Sequence, residues 1–421
     1  MSKTASEANG SGVAKLSRRG LIAAVGAVAS ACGSAVTQLE SRAHAWGQDS
    51  VYTRLLGLRP FLSCQGHNTV IGGSRMPDEI VRAMAEANDY FVDMHALNKA
   101  AGDYIASVMG TKAALVSAGS FSAMLLGAAG CLTGADPEKI EALPHPTWNK
   151  VECLTQTQHR FNYDRAYRAA GMTIVDADTK QGMIDKISDK TAMITGLARV
   201  YRTPGNPPGT LMPEEIIEIG NQHGIPVLID AASELPPSDI MTRYSRAGAD
   251  LVVISGGKGL RGPQSSGILA GRKDLIEAAT LNHSPYKAIG RGMKVGKEEI
   301  IGLVAAVRRY AALDHDAVLE GWNKKAQYIA DVLSEAPGIN AALVGNTQGY
   351  SNVSFSWDQS VIPVSGAEIY KQLREGEPRI LINGGGDGPS AGLTTQCMSD
   401  GDEIFAARGI KEALLGHAKP A

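Results

Sequence analysis

The chain has 421 residues and near-balanced charge, 41 Lys+Arg against 43 Asp+Glu, for a net charge of −2. That balance excludes a broadly basic surface for coating nucleic acid, and 6 Phe, 4 Trp and 12 Tyr are too few for a platform of stacked bases. A content of 44% hydrophobic and 20% charged residues excludes wholesale disorder.

The chain opens on an address. Ser17-Arg18-Arg19-Gly20 precedes an apolar run over 21–31, and Ala43-His44-Ala45 supplies a small-x-small cleavage site before Trp46. A charged, then apolar, then small-residue layout reads as a signal peptide. The paired arginines resemble a twin-arginine export signal, and the run is shorter than the ~20 residues that span a bilayer. The expectation is an exported, periplasmic protein that engages the export machinery and is cleaved after Ala45. Ala29-Ser30-Ala31-Cys32 loosely resembles a lipoprotein box, but Ala29 fits it poorly, so anchoring at Cys32 is the lesser alternative. Cys64, Cys131, Cys153 and Cys397 are widely spaced with no C-x-x-C, so neither a metal nor a thiol redox site is expected. Buried free thiols are preferred to disulfides.

Beyond the address the elements alternate. The sequence predicts one or two helices over 78–109, a strand at 113–116, a helix at 121–132, a strand at 152–155 and a helix at 163–170. Strands follow at 173–175 and 192–194, a helix at 213–223, then strands at 225–229, 251–254 and 267–270. Such alternation argues a mostly parallel sheet with helices on both faces. The strands lack a clean period of two, which fits burial on both sides. A long helix is expected from 298 to about 319, another over 321–333, strands near 341–344 and 351–357, a Gly-rich turn at 384–386 and a last helix. This gives an N-terminal segment over 46–67, a large domain over 68–310 and a smaller α+β domain over 311–421.

Three clusters carry chemistry. In Leu251-Val252-Val253-Ile254-Ser255-Gly256-Gly257-Lys258-Gly259 a buried strand runs into a glycine-rich turn that holds a lysine. A lysine shielded from water there has a lowered pKa and becomes a nucleophile; the bland alternative is a surface lysine. A Walker lysine is ruled out, because the G-x-x-x-x-G-K-[ST] pattern is missing. In Val227-Leu228-Ile229-Asp230 an acid ends a buried strand, where open α/β sheets place ligands; alone it could equally be a helix cap. Ser117-Ala118-Gly119-Ser120 follows a strand and opens a helix, an arrangement suited to anions or to plain capping. Together they fit one ligand, pyridoxal 5'-phosphate: a cradle for its phosphate, an acid for its pyridine nitrogen and a lysine for its aldehyde. Ser255 could add a hydroxyl to the phosphate.

The run from Asp230 through Gly248-Ala249-Asp250, Ser255-Gly256-Gly257-Lys258 and Gly262-Pro263-Gln264 to Gly271-Arg272-Lys273 resembles fold-type-I pyridoxal-phosphate enzymes of the selenocysteine-synthase-like group. Within that group it is more similar to D-glucosaminate-6-phosphate ammonia-lyase-like proteins than to true selenocysteine synthases. The resemblance covers about residues 68–310 and the C-terminal part loosely. It implies a fold-type-I transferase fold, a large domain with a mostly parallel central sheet plus a smaller C-terminal α+β domain. Lys258 would form the Schiff base, Asp230 would pair with the pyridine nitrogen, and Gly119, Ser120 and Ser255 would hold phosphate. His159 would stack on the cofactor or relay a proton, with Phe161 as a rival stacker. Arg291 and Lys294, in a basic glycine-rich loop, would hold a substrate carboxylate or phosphate, within one chain or across a homodimer; Arg199, Tyr201 and Arg202 form a further substrate-loop candidate.

The resemblance implies a pyridoxal-phosphate-dependent lyase or transferase acting on a small-molecule amine, an amino acid or amino-sugar acid, by α,β-elimination or β-replacement. Selenocysteine-synthase-like transfer, aldol cleavage, racemisation and transamination stay open on the same scaffold, as does a catalytically silent cofactor-binding protein. A tRNA substrate is not expected, because an export signal stands where a tRNA-binding domain would be and the charge is −2. A homodimer or higher oligomer is implied by the family alone.

Overall fold

Strands that are apolar at every position must be covered on both faces, and the large domain meets that requirement. The computed structural model describes residues 49–202 and 205–419, so the export and cleavage motifs lie outside the described residues. In chain order the strands are β1 (Leu62–Ser63), β2 (Ala113–Ser117), β3 (Glu152–Gln156), β4 (Thr173–Ala177), β5 (Thr191–Leu197), β6 (Val227–Asp230), β7 (Leu251–Ser255) and β8 (Gly267–Gly271). There follow β9 (Ile339–Gly345), β10 (Ser351–Trp357), β11 (Ile380–Leu381), β12 (Asn383–Gly384) and β13 (Ser390–Leu393).

Seven strands form the central sheet in the order β2-β8-β7-β6-β5-β3-β4. Only β8 runs antiparallel to its neighbours; the other pairs are parallel. Successive residues of one strand enter different cores. Val252 and Ile254 join a cluster with Ile105, Ile216 and Leu303, whereas Leu251 and Val253 join one with Leu126, Tyr167 and Leu275. The first cluster lies under helices Met94–Met109, Pro213–His223 and Lys297–Ala312, the second under Gly119–Thr133 and Lys273–Leu281. The mostly parallel, doubly covered sheet is therefore as expected.

The C-terminal part has its own core, built from Phe355, Trp357, Ile329, Leu333, Ile369 and Ile410 under an antiparallel sheet ordered β12-β13-β10-β9. The alternating burial at the end of β10 is that of a sheet with one face packed. β1 pairs in parallel with β11, and Leu62 and Cys64 enter this core, so the N-terminal segment is tied to the small domain. Cys64, Cys131, Cys153 and Cys397 are all free thiols.

One helical alternative is resolved and one helix boundary moves. The 78–109 stretch is two helices, Asp78–Asn88 and Met94–Met109, the second capped by Asp93, whose side chain accepts from Ala96 N–H. The break expected near residue 320, between helices over 298–319 and 321–333, lies instead at 313–314 and separates Lys297–Ala312 from His315–Ser334. Leu313 leaves the first helix in an extended conformation, and the Asp314 carboxylate accepts from Ala317 N–H at 3.0 Å, capping the second. Apolar spacing continued through the break, and an aspartate cap is what separated the elements. Asp314→Ala should therefore lower stability by about 1 kcal/mol, read as a shift of the urea midpoint at unchanged slope. An unchanged midpoint would mean that the cap contributes nothing to the break.

Candidate active site

Strand register brings the predicted residues to one edge of the sheet. Ser117, at the end of β2, pairs with Gly267, which in turn pairs with Ser255 at the end of β7. One strand over, Asp230 pairs with Val253 and, on its other side, with Leu197. Ser117, Gly267, Ser255 and Asp230 thus lie along the carboxyl ends of the parallel strands, where sheets of this kind bind ligands.

The helix Gly119–Thr133 begins here. Its N-cap, Ala118, has no side chain that can cap the first turn, and Gly119 takes a left-handed φ of 84°. The first-turn N–H groups and the positive end of a 15-residue helix are left to serve an anion. Ser120 is partly exposed at the mouth. The close approach of β8 explains Gly267: a Cβ there would come within 2.4 Å of the Gly119 carbonyl carbon and 2.7 Å of Ser120 N.

The lysine turn is equally tight. Gly256 N–H donates to Ser266 O at 2.8 Å, Gly262 N–H to Gly256 O at 2.8 Å, and a Cβ on Gly256 would meet Ser266 Oγ at 2.0 Å. Only glycine lets the backbone fold back this closely, and the fold fixes Lys258 three residues beyond Ser255. Burial pushes the Lys258 amine below its ordinary pKa, partly opposed by the carboxylates of Asp230 and Glu234. Asp230 is 5% exposed, and burial pushes its carboxyl up to about 6, against the Ala232 N–H bond of 2.9 Å and the nearby Lys258. An acid and an amine, each poorly solvated and each within the other's field, form a pair of perturbed groups of the kind found at reaction centres.

His159 is held differently from expectation. Its Nδ1 accepts from Leu197 N–H at 2.8 Å and its Nε2 donates to Leu211 O at 2.8 Å. As an acceptor Nδ1 carries no proton, so the ring is neutral, and burial pushes the imidazole pKa down. With both nitrogens committed to backbone, relay of a proton is corrected to a positioning role; the ring face remains. Its Leu197 partner is the residue in register with Asp230, so the histidine braces the strand end beside the acid. Phe161 packs edge-on against Tyr163 at 5.9 Å and against the second core.

Arg291 and Lys294 are exposed on their loop and do not line the cavity beside Lys258 within one chain. Of the other loop candidates, Arg202 enters the site, while the Tyr201 hydroxyl is turned away to Glu214 at 2.6 Å. Arg202 is gripped by the buried Glu234 through Nε at 2.8 Å and Nη2 at 2.9 Å, and its Nη1 reaches Gln348 Oε1 at 3.4 Å. Arg199 stands near enough for its charge to depress Lys258 further.

Sequence reasoning missed His67, Glu234 and Gln348. His67 feels the charges of Lys258 and Arg202, and burial together with those cations pushes it down to about 4. It lines a cavity of about 580 Å³ with Gln65, Arg202, Gln348, Tyr350 and Gln396, between the two domains. Residues so far apart in sequence carry no local pattern; Glu234, four residues after Asp230, was the one with a positional signal.

The residues fit pyridoxal phosphate: an uncapped helix start and serines for the phosphate, a buried acid for the ring nitrogen, and a buried lysine for the aldehyde. Comparison with known proteins agrees. The family model for aminotransferase class-V matches residues 153–377. The chain is 30% identical over 405 residues to a 5'-C-glycyluridine monooxygenase-decarboxylase of Streptomyces sp, covering 91% of this chain and 97% of that protein. The chain belongs to the aminotransferase class-V family. It is also 25% identical over 333 residues to the D-glucosaminate-6-phosphate ammonia lyase of Salmonella typhimurium, covering 76% and 86% of the two chains. A solved D-glucosaminate-6-phosphate ammonia-lyase structure superposes with a TM-score of 0.78 at 23% identity, over 88% of this chain and 100% of that one. Membership makes this a fold-type-I, pyridoxal-phosphate-dependent enzyme.

Two outcomes follow from the site. The fold favours protonated Asp230, so its contribution relative to Asp230→Asn is greatest below the ordinary carboxylate pKa. It is lost as pH rises through about 6. In cofactor-free protein the two should diverge by roughly 2 kcal/mol between about pH 4 and pH 7, measured by denaturant midpoints; a pH-independent difference would contradict the burial argument. Gly267→Ala should weaken pyridoxal phosphate binding by about tenfold or more, followed by absorbance titration, with unaltered affinity as the contrary result.

Proposed function

We propose that the protein is a lyase for an unphosphorylated, hydroxyl-bearing amino acid, removing ammonia by α,β-elimination. The observation that carries this is the wall of the cavity beside Lys258. His67 Nδ1, Asn352 Oδ1 and Gln396 Nε2 are buried there without hydrogen-bond partners, and all three line the same space. Gln65, Asn346, Thr347, Asn383 and Thr394 complete it. Unpaired buried polar atoms are costly, so a ligand rich in hydroxyls is the natural complement. The lining guanidinium, Arg202, is already neutralised by Glu234, which disfavours a phosphate handle. Its lightly held Nη1 suits a carboxylate. Both similar enzymes named above take their names from hydroxyl-bearing compounds, a uridine and an amino-sugar acid.

Bound here, pyridoxal phosphate supplies an electron sink for charge left at the substrate α-carbon. The chain does the rest. Asp230 holds the positive charge of the ring nitrogen, the depressed pKa of Lys258 leaves its Nζ able to take the α-proton, and the amides orient the hydroxyls so that the β-oxygen leaves as water with the proton returned from Nζ; the enamine released then tautomerises and is hydrolysed to ammonia and a 2-keto acid.

A second reading, oxygen-dependent decarboxylation, is favoured by the higher identity and fuller coverage of the glycyluridine enzyme. The two separate cleanly when the loaded protein meets a panel of polyhydroxylated amino acids. Elimination releases ammonia and a 2-keto acid without oxygen uptake; decarboxylation consumes oxygen and releases carbon dioxide. Neither product from any member would favour the catalytically silent alternative. For a turned-over substrate, Gln396→Ala should raise KM by about tenfold with a smaller change in kcat; an unmoved KM would remove the amide wall from substrate recognition.

We also propose that Arg291 and Lys294 face the active site of a partner in a homodimer, which would give the exposed basic loop a role. Export by the twin-arginine route to the periplasm remains our reading of Arg18-Arg19 and the apolar run after them.

A further inference from the structure

A second cavity, of about 450 Å³, borders the lysine loop at Gly259 and Arg261, and its lining shares no residue with the polar cavity. Gly259 and Arg261 form one wall, Arg309 and Tyr310 the end of the helix Lys297–Ala312, and His315, Val318, Leu319 and Trp322 the start of His315–Ser334. Its volume is that of a small-molecule site.

The cations here are unevenly matched. Arg309 pairs with Glu79 at 2.8 Å, and Lys325 with Asp400 at 2.8 Å. Arg261 donates from Nε to the Arg75 carbonyl at 2.9 Å, but among the described residues no carboxylate pairs with it. It is held there by a left-handed backbone, φ 57°, that L side chains rarely adopt. Such strain gathers at functional sites. The first turns of the 20-residue helix His315–Ser334 border the same space, their amino end already capped by the Asp314 carboxylate. Tyr310, 5% exposed, contributes a hydroxyl that is buried without a hydrogen-bond partner. Facing these polar groups is an apolar wall of Leu313, Val318, Leu319, Trp322 and Met398.

We propose that this cavity is a second, non-catalytic binding site for a small carboxylate with an apolar body, its carboxylate on Arg261 and its body on Trp322 and Leu319. A bare inorganic anion would satisfy the guanidinium but leave the apolar wall wet, so the lining selects for both parts.

The test uses the full-length, pyridoxal-phosphate-loaded protein with benzoate and inorganic phosphate as probes, by calorimetry and by tryptophan fluorescence. Benzoate should bind saturably and phosphate about tenfold more weakly. Arg261→Gln should weaken benzoate by about tenfold or more, Arg261→Lys should recover part of the loss, and Val318→Glu should abolish binding by placing a like charge in the wall. Gln348→Ala, in the other cavity, should leave benzoate affinity unchanged. The proposal is overturned if benzoate shows no saturable binding, or if folded Arg261→Gln and Val318→Glu bind it as the parent does. Loss of binding in Gln348→Ala would also overturn it, by moving the ligand to the catalytic cavity.

Discussion

The constraint on which the site depends is a carboxylate at the end of a strand that has no exposed face. β6 is buried along its whole length, so Asp230 leaves the sheet in an environment that penalises its charge. Two neighbours offset the penalty, the Ala232 N–H and the Lys258 amine, and each is fixed by a turn whose shape the sequence demands. The same burial that raises the carboxyl lowers the amine. A cationic ring nitrogen between them would relieve the acid, and an aldehyde would engage the lysine. The perturbed acid and amine are thus electrostatically suited to a protonated pyridine that carries an aldehyde.

Positioning follows from the sheet. Antiparallel β8 inserted between β2 and β7 sets Ser117 and Ser255 on either side of Gly267, so the anion end and the lysine turn share a wall. His159 braces the next strand end through Leu197, and the Arg202–Glu234 pair carries the framework across to Gln348 of the small domain. The polar cavity therefore forms where the two cores meet, lined by Arg202 of the large domain and by Asn346, Gln348 and Gln396 of the small one.

Much of this was legible in the sequence because it is local. Uninterrupted apolar strands announced a doubly covered sheet, and Asp230, Lys258 and Gly119 each sit within a few residues of a strand end. What was illegible is what arises only in three dimensions. His67 precedes the lysine by nearly half the chain, and Gln348 and Gln396 lie in turns of the other domain with no periodicity to mark them. His159 was found by its place in the order of elements, but its role depended on two backbone partners, Leu197 and Leu211, that no spacing reveals. The break at Asp314 was missed for the opposite reason: apolar periodicity ran through it, and a single capping carboxylate overrode the pattern.

Lys258, buried in its glycine turn, is the residue placed to bond the cofactor aldehyde. The direct measurement is borohydride reduction of the pyridoxal-phosphate-loaded protein followed by peptide mass mapping. One labelled peptide is expected, carrying the pyridoxyl group on Lys258 and vanishing in Lys258→Ala. A label on a different lysine, or none under conditions that saturate the visible band, would contradict it.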